Sequence, residues 1–339
     1  METNLTRRFL QFAKKECENS SPLYEFLSYQ IAEDSVLQKL ASQIPVEQPI
    51  PNLFFASVQY LLMQQEDALK SYYPTFTDSP LPIKESYAPF KEFVINNQES
   101  LLELFSTKLV QTNEVRRCSY LYPMFTEIYK KHGKPLALIE IGTSAGLQLG
   151  VDQYNYLYNE DIEVTNSPFA LRIESKNLGD PLPDSIYSSP IVKTRIGADL
   201  NPINLKDENE LKWLQALIWP EHHERREMLT QAAKVINDLV IEFVRGDAIA
   251  HLEDLCASIS EEEQIVVFHT HVANQIPRQG REELIAKLVS VSKWRPIYHC
   301  YNNMFDAKLH QDYLVDGNMV EIRVMEPADG HERWFSWVK

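Results

Sequence analysis

The chain has 339 residues, 44% hydrophobic and 24% charged, so it can bury a sizeable core and is not a disordered polyelectrolyte. Its formal charge of -15, with no stripe of Lys or Arg, makes nucleic acid an unexpected partner; no apolar run reaches signal-peptide or membrane-span length, so a cytoplasmic, membrane-free protein is expected. Cys17, Cys118, Cys256 and Cys300 lack C-x-x-C spacing and read as reduced, buried thiols.

In chain order, residues 1–132 are expected to form an all-α N-terminal region. Its segments SPLYEFLSYQIAEDSVLQKLAS, PNLFFASVQYLLMQQEDALKSYY, APFKEFVINNQESLLELFSTKLV and NEVRRCSYLYPMFTEIYKK are apolar at three- and four-residue intervals. In the third, Phe90, Phe93, Val94, Leu101, Leu104 and Phe105 share one broad face. From 133 to 339 the texture becomes α/β, with short Val/Ile/Leu runs alternating with amphipathic stretches, the pattern of a mostly parallel sheet flanked by helices. Strands are predicted at 136–142, 191–200, 239–248, 264–271, 295–302, 319–327 and 332–339. The last two are expected to pair as a C-terminal antiparallel hairpin through Ala328-Asp329-Gly330.

In the first strand segment, LALIEIGTSAGLQLGVDQYNYLY, Glu140-x-Gly142-x-x-x-Gly146 is expected to form a turn running directly into an amphipathic helix. Glycine there lets the backbone turn sharply beside a ligand, while the N–H groups opening a helix attract its negative end. At the ends of the next two strands stand Asp199, placed to accept from ribose hydroxyls, and Asp247, followed by Ala248 at a helix start. The alternative to the functional reading of each aspartate is a helix cap. All three segments are predicted to open on one crevice, where doubly wound sheets bind ligands. A dinucleotide turn wants glycine where Ser144 stands, and some fifty residues separate Gly146 from Asp199, so an insertion is expected at about 151–195.

The order E-x-G-x-x-x-G, D-L-N-P, G-D-A resembles the motifs of class I S-adenosylmethionine-dependent methyltransferases over about residues 134–339. More closely, NEVRRC, LIEIGTSAGL, GADLNP, ALIWPE and VVFHTHV resemble a bacterial family catalogued as domain of unknown function 2332, which carries no reaction to transfer. The superfamily resemblance implies a Rossmann-like methyltransferase fold with S-adenosylmethionine as cofactor. Glu140, Gly142 and Gly146 would shape the pocket for its methionine part, with Ser144 assisting at the turn. Asp199 would take the ribose and Asp247 the adenine amino group. The turn departs from that pattern in lacking a further glycine between 142 and 146.

For chemistry, HTHVANQIP offers His269 and His271 as proton acceptors and Asn274 as an acceptor-site group. His269-x-His271 can alternatively ligate metal with His222 and His223, although no third ligand stands at a recognisable spacing, so no metal is expected. Arg116 and Arg117 read either as a clamp for a carboxylate or as surface ion-pairing residues, and Asn113 as a helix cap. Trp213 and Trp219 read as core anchors, and Tyr154, Tyr156 and Tyr158 as packing for the helix after the turn. The expected function is methyl transfer to a small molecule or protein side chain. The alternatives are a cofactor-binding regulatory or scaffold protein without catalysis and an NAD-dependent oxidoreductase.

Overall fold

The computed structural model describes residues 4–111, 113–168 and 171–339. The chain divides into two compact units, residues 1–112 with 206–227 and residues 113–205 with 228–339. The division falls ahead of the expected position at 132, and 206–227 groups with the helical unit.

The first unit contains helices Asn4–Phe12, Pro22–Glu33, Ser35–Ala41, Ile50–Leu62, Tyr87–Asn96, Gln98–Thr107 and Glu208–Ala216. Two of the long predicted helices are each interrupted by a side chain that competes for backbone bonds. Asp34 ends one helix and caps the next, its Oδ1 accepting from the N–H groups of Val36 and Leu37 at 2.8 and 3.2 Å. Asn97 interrupts the other, its side-chain amide donating to the carbonyl of Phe93. Trp213 and Trp219 do anchor this core. The Trp213 indole donates to the Leu109 carbonyl at 2.9 Å, and Trp219 meets Phe12 edge-on.

The second unit is α/β with a mostly parallel mixed sheet. Its strands are β1 (Leu136–Ile141), β2 (Asn155–Tyr158), β3 (Ile162–Val164), β4 (Arg172–Asn177), β5 (Val192–Asp199), β6 (Glu242–Arg245), β7 (Gln264–His269), β8 (Ile297–Asn302), β9 (Leu309–Val315), β10 (Asn318–Met325) and β11 (Trp334–Phe335). The main sheet runs β10-β9-β8-β7-β1-β5-β6, with the five strands from β8 to β6 parallel. Chain order reverses direction between β1 and β7, the switch point of a doubly wound sheet. Alternation divides the side chains between two faces. Ala137, Ile139, Ile141, Ile265 and Val267 pack with Leu252, Leu284 and Leu288 of helices Ala248–Ser258 and Arg278–Ser292. On the other face Phe268, in register with Glu140, meets Phe125 of helix Cys118–His132 at 5.4 Å.

Two expectations for this unit are corrected. The terminal hairpin is β9–β10, not 319–327 with 332–339. It turns at Asp316-Gly317, both at positive φ, whereas Trp334–Phe335 pairs in parallel with β4. An Asp-Gly pair supplies the two left-handed positions of a tight hairpin, which Ala328-Asp329-Gly330 does not. The glycine turn leads only to a short 3-10 turn, Leu147–Gly150, and then to β2. Tyr154, Tyr156 and Tyr158, all fully buried, share one face at the two-residue period of a strand, so no long helix forms. The expected insertion instead supplies β2, β3 and β4, which join β11 in a second, four-stranded sheet; its residues 169 and 170 lie outside the described residues.

Candidate functional site

The predicted residues of β1 and β5 meet at the C-terminal edge of the main sheet. After β1 the backbone enters the left-handed region at Gly142, Ser144 and Gly146, with φ of 69, 50 and 72°. Gly142 has no room for a side chain, since a Cβ would stand 2.5 Å from Cγ2 of Val272. Asp199 braces this turn: Oδ2 accepts from the Ser144 N–H at 2.8 Å and Oδ1 from the Asn201 N–H at 2.7 Å. The Asp199 carbonyl accepts from the N–H of Gly246, which brings the end of β6 alongside. Asp247 beyond it is exposed and caps helix Ala248–Ser258, accepting from Ile249 N–H at 2.9 Å, so it does the work of a cap; Ala248 opens that helix.

Asn113 is not a helix cap. Its side chain clasps the glycine turn, donating to Ser144 Oγ at 3.0 Å and accepting from the Ala145 N–H at 3.4 Å. Within the turn the Ser144 N–H thus meets Asp199 and the Ala145 N–H meets Asn113, while those of Gly142 and Thr143 donate to the Ala198 carbonyl; with only a short 3-10 turn following, the anion-attracting helix dipole expected here is not present.

Beneath the turn lies a buried polar cluster. Glu140 is enclosed, and burial pushes its carboxyl up to about 8 against the opposing influences of a Thr143 hydroxyl bond and the Arg117 charge. Arg116 and Arg117 are both buried rather than surface ion-pairing residues. Arg116 Nη1 donates to the His331 carbonyl at 3.4 Å. Arg117 Nη1 donates to the carbonyl and hydroxyl of Thr270, and Thr270 in turn donates to Gln148.

The two predicted histidines part company. His269 shares its sheet face with Ile265 and Val267, opposite that of Glu140. It is fully buried, its Nε2 3.2 Å from Nε2 of His299, and burial holds its pKa down at about 4. A proton acceptor for neutral pH does not work in that setting. His271 stands past the strand end, partly exposed, at φ 55°. Its N–H donates to Asn302 Oδ1 at 2.7 Å, its Nδ1 lies 3.0 Å from the Asn303 amide, and its Nε2 is 3.4 Å from Glu332 Oε1. Asn274, two residues past Val272, is exposed. His222 and His223 belong to the first unit, where His222 bonds Ser20 and stacks on Trp219. Among the described residues no group of three or more His, Cys, Asp or Glu is arranged to hold a metal ion.

Sequence reasoning missed Glu332, Thr270, Gln148, Asn302 and Asn303. Glu332 is the most consequential, with no exposed surface and φ of 52°. The strand predicted over 332–339 gave no reason to single out its first residue. The signal against that reading was Asp329-Gly330, whose Asp side chain accepts from the N–H groups of His331 and Arg333 and so ties a loop in place of a strand.

The second unit is thus an α/β unit with a mostly parallel mixed sheet, in which a glycine turn, an acidic brace and a buried polar cluster gather at the strand ends. The chain belongs to the family described as "Uncharacterized protein conserved in bacteria (DUF2332)", whose model matches residues 6–337. No curated protein and no solved structure matches it. All four cysteines are free and buried, and no helix among the described residues is long and apolar enough to cross a membrane.

Proposed function

We propose that the second unit is a Rossmann-like domain that binds S-adenosylmethionine and that the protein is a methyltransferase. The observation that carries this reading is the junction of Ser144 N–H with Asp199 Oδ2, because it joins the turn after the first strand to the acid ending the second. Counting only main-sheet strands in chain order, the sheet reads 3-2-1-4-5 across its parallel part, and ligands of such sheets lie beyond the strand ends at the reversal.

In this reading the left-handed backbone at Gly142 and Gly146 shapes the turn at the methionine end, with Glu140 beneath it and Ser144 within it. The remaining lone pairs of Asp199 accept from the ribose hydroxyls, since a carboxylate offers about four acceptor sites and two are in use. Asp247 and Ala248 flank the adenine. Methyl transfer needs an acceptor held in line with the sulfonium carbon. In this reading Arg116, Arg117 and Asn274 would border the acceptor side, and His271 would be the histidine that receives a proton.

The reading is tested by incubating the protein with S-adenosylmethionine and a metabolite extract and measuring S-adenosylhomocysteine. Release that depends on both extract and Asp199 supports it; none in any fraction, from protein that binds the cofactor, leaves a binder without catalysis.

A further inference from the structure

Arg117 and Glu332 form an incomplete pair. Glu332 is fully buried, and neither of its carboxylate oxygens accepts a hydrogen bond among the described residues; the buried Nε of Arg117 likewise donates none. Arg117 Nε and Glu332 Oε1 are 3.7 Å apart, too far for a good bond. His271 Nε2, at 3.4 Å from the same oxygen, is also beyond an ordinary bond. Buried polar groups in folded proteins are almost always hydrogen-bonded, and the two ions, though paired in charge, leave the hydrogen-bonding capacity of these atoms unmet.

The backbone tells the same story. Of the eight described non-glycine residues at positive φ, Ser144, His271, Asn303 and Glu332 belong to this one site. Such conformations cost free energy and collect where a constellation must be held in place. Asp329 fixes the loop that presents Glu332, and the Ser175 hydroxyl holds the Glu332 carbonyl.

A donor and an acceptor left open 3.7 Å apart are both satisfied by one atom that accepts from the first and donates to the second. A hydroxyl oxygen does this; an ammonium cannot accept, and a carboxylate cannot donate. We propose that the gap between Arg117 Nε and Glu332 Oε1 is the seat of the methyl acceptor's hydroxyl, so that the reaction is O-methylation of an alcohol or phenol. This rests on the methyltransferase reading of the same site. As the new O–CH3 bond forms, the sulfonium S–CH3 bond breaks and its electron pair stays on sulfur as a thioether. The O–H proton passes to the Glu332 carboxylate. Arg117 stabilises the negative charge gathering on the oxygen, and His271, which reaches the surface, returns the proton to water.

The test uses four fragments of one shape, benzyl alcohol, benzylammonium, benzoate and toluene, with binding to the full chain read by saturation-transfer NMR. Benzyl alcohol is expected to bind about tenfold better than toluene and to lose about tenfold in Glu332→Gln, the scale of one hydrogen bond to a charged group. Melting of the variant within a few degrees of the parent shows that folding is not the cause. Preference for benzoate or benzylammonium, no binding by any fragment, or equal binding to Glu332→Gln overturns the proposal, an ordered water then being the occupant. A parallel titration with S-adenosylmethionine separates the two claims. Hydroxyl binding without cofactor binding sinks the methyltransferase reading and the methylation step with it, leaving a hydroxyl seat, whereas cofactor binding without hydroxyl binding sinks this proposal alone.

Discussion

Replacing Asp199 with Asn alters one charge and almost no volume, and the structure sets the cost. The carboxylate accepts two backbone N–H bonds, from Ser144 at 2.8 Å and Asn201 at 2.7 Å. A carboxamide has one acceptor oxygen, so it keeps one bond and turns an NH2 group toward the other N–H. A lost bond to a charged group costs about 1.5–3 kcal/mol, and partial exposure of Asp199 favours the lower part, about 2 kcal/mol. For a unit of this size that lowers the melting temperature by about 4–8 °C. Thermal and urea unfolding, followed by circular dichroism, measure it. Affinity for S-adenosylmethionine, titrated well below the transition, should fall about tenfold or more for Asp199→Asn and by about 1.5–3 kcal/mol for Asp199→Ala. Unchanged stability would refute the brace. Lowered stability with unchanged affinity would refute the ribose role and leave Asp199 a purely structural residue.

Gly142→Ala combines a left-handed backbone with a Cβ 2.5 Å from Val272, and should destabilise by about 2–4 kcal/mol. Adding Val272→Ala should recover the steric share, and a double-mutant cycle in urea with no coupling would contradict the contact. His269, held down at about 4 by burial, binds fewer protons folded than unfolded. Its contribution is therefore present above about pH 6.5 and drains away as pH falls toward 4, by about 3 kcal/mol if fully expressed, and His269→Gln should flatten that acid limb of the stability profile. Glu140 has the opposite sign. Its raised value, about 8, means that its contribution is present below about pH 4.5 and declines as pH rises toward 8, so Glu140→Gln should gain on the parent between those limits. A gain confined to acid pH would mean that the carboxyl is ionised in the fold.

Strands with one unambiguous pattern were legible from residues alone. LALIEI, QIVVFH and IYHCYN are buried on both faces, as their mostly apolar runs foretold, and parallel pairing followed from the helices between them. YNYLY was misread because tyrosine at every second position fits a strand while the glycine turn before it invited a helix. LHQDYLV carries buried Gln311 and Asp312 and so hid among polar loops, although the Asp-Gly after it announced a hairpin. In the candidate site, the turn and its acid could be read because their residue types are dictated by backbone geometry and position at a strand end. Glu332 could not. Its partners lie more than sixty and two hundred positions away, at His271 and Arg117, and only the folded loop reveals that it is buried.

Isothermal titration of the full chain with S-adenosylmethionine, S-adenosylhomocysteine and NAD tests the central claim most directly. The account predicts saturable micromolar binding of the first two, with none of NAD. Absence of heat with both sulfur compounds, or tight binding of NAD alone, would contradict it.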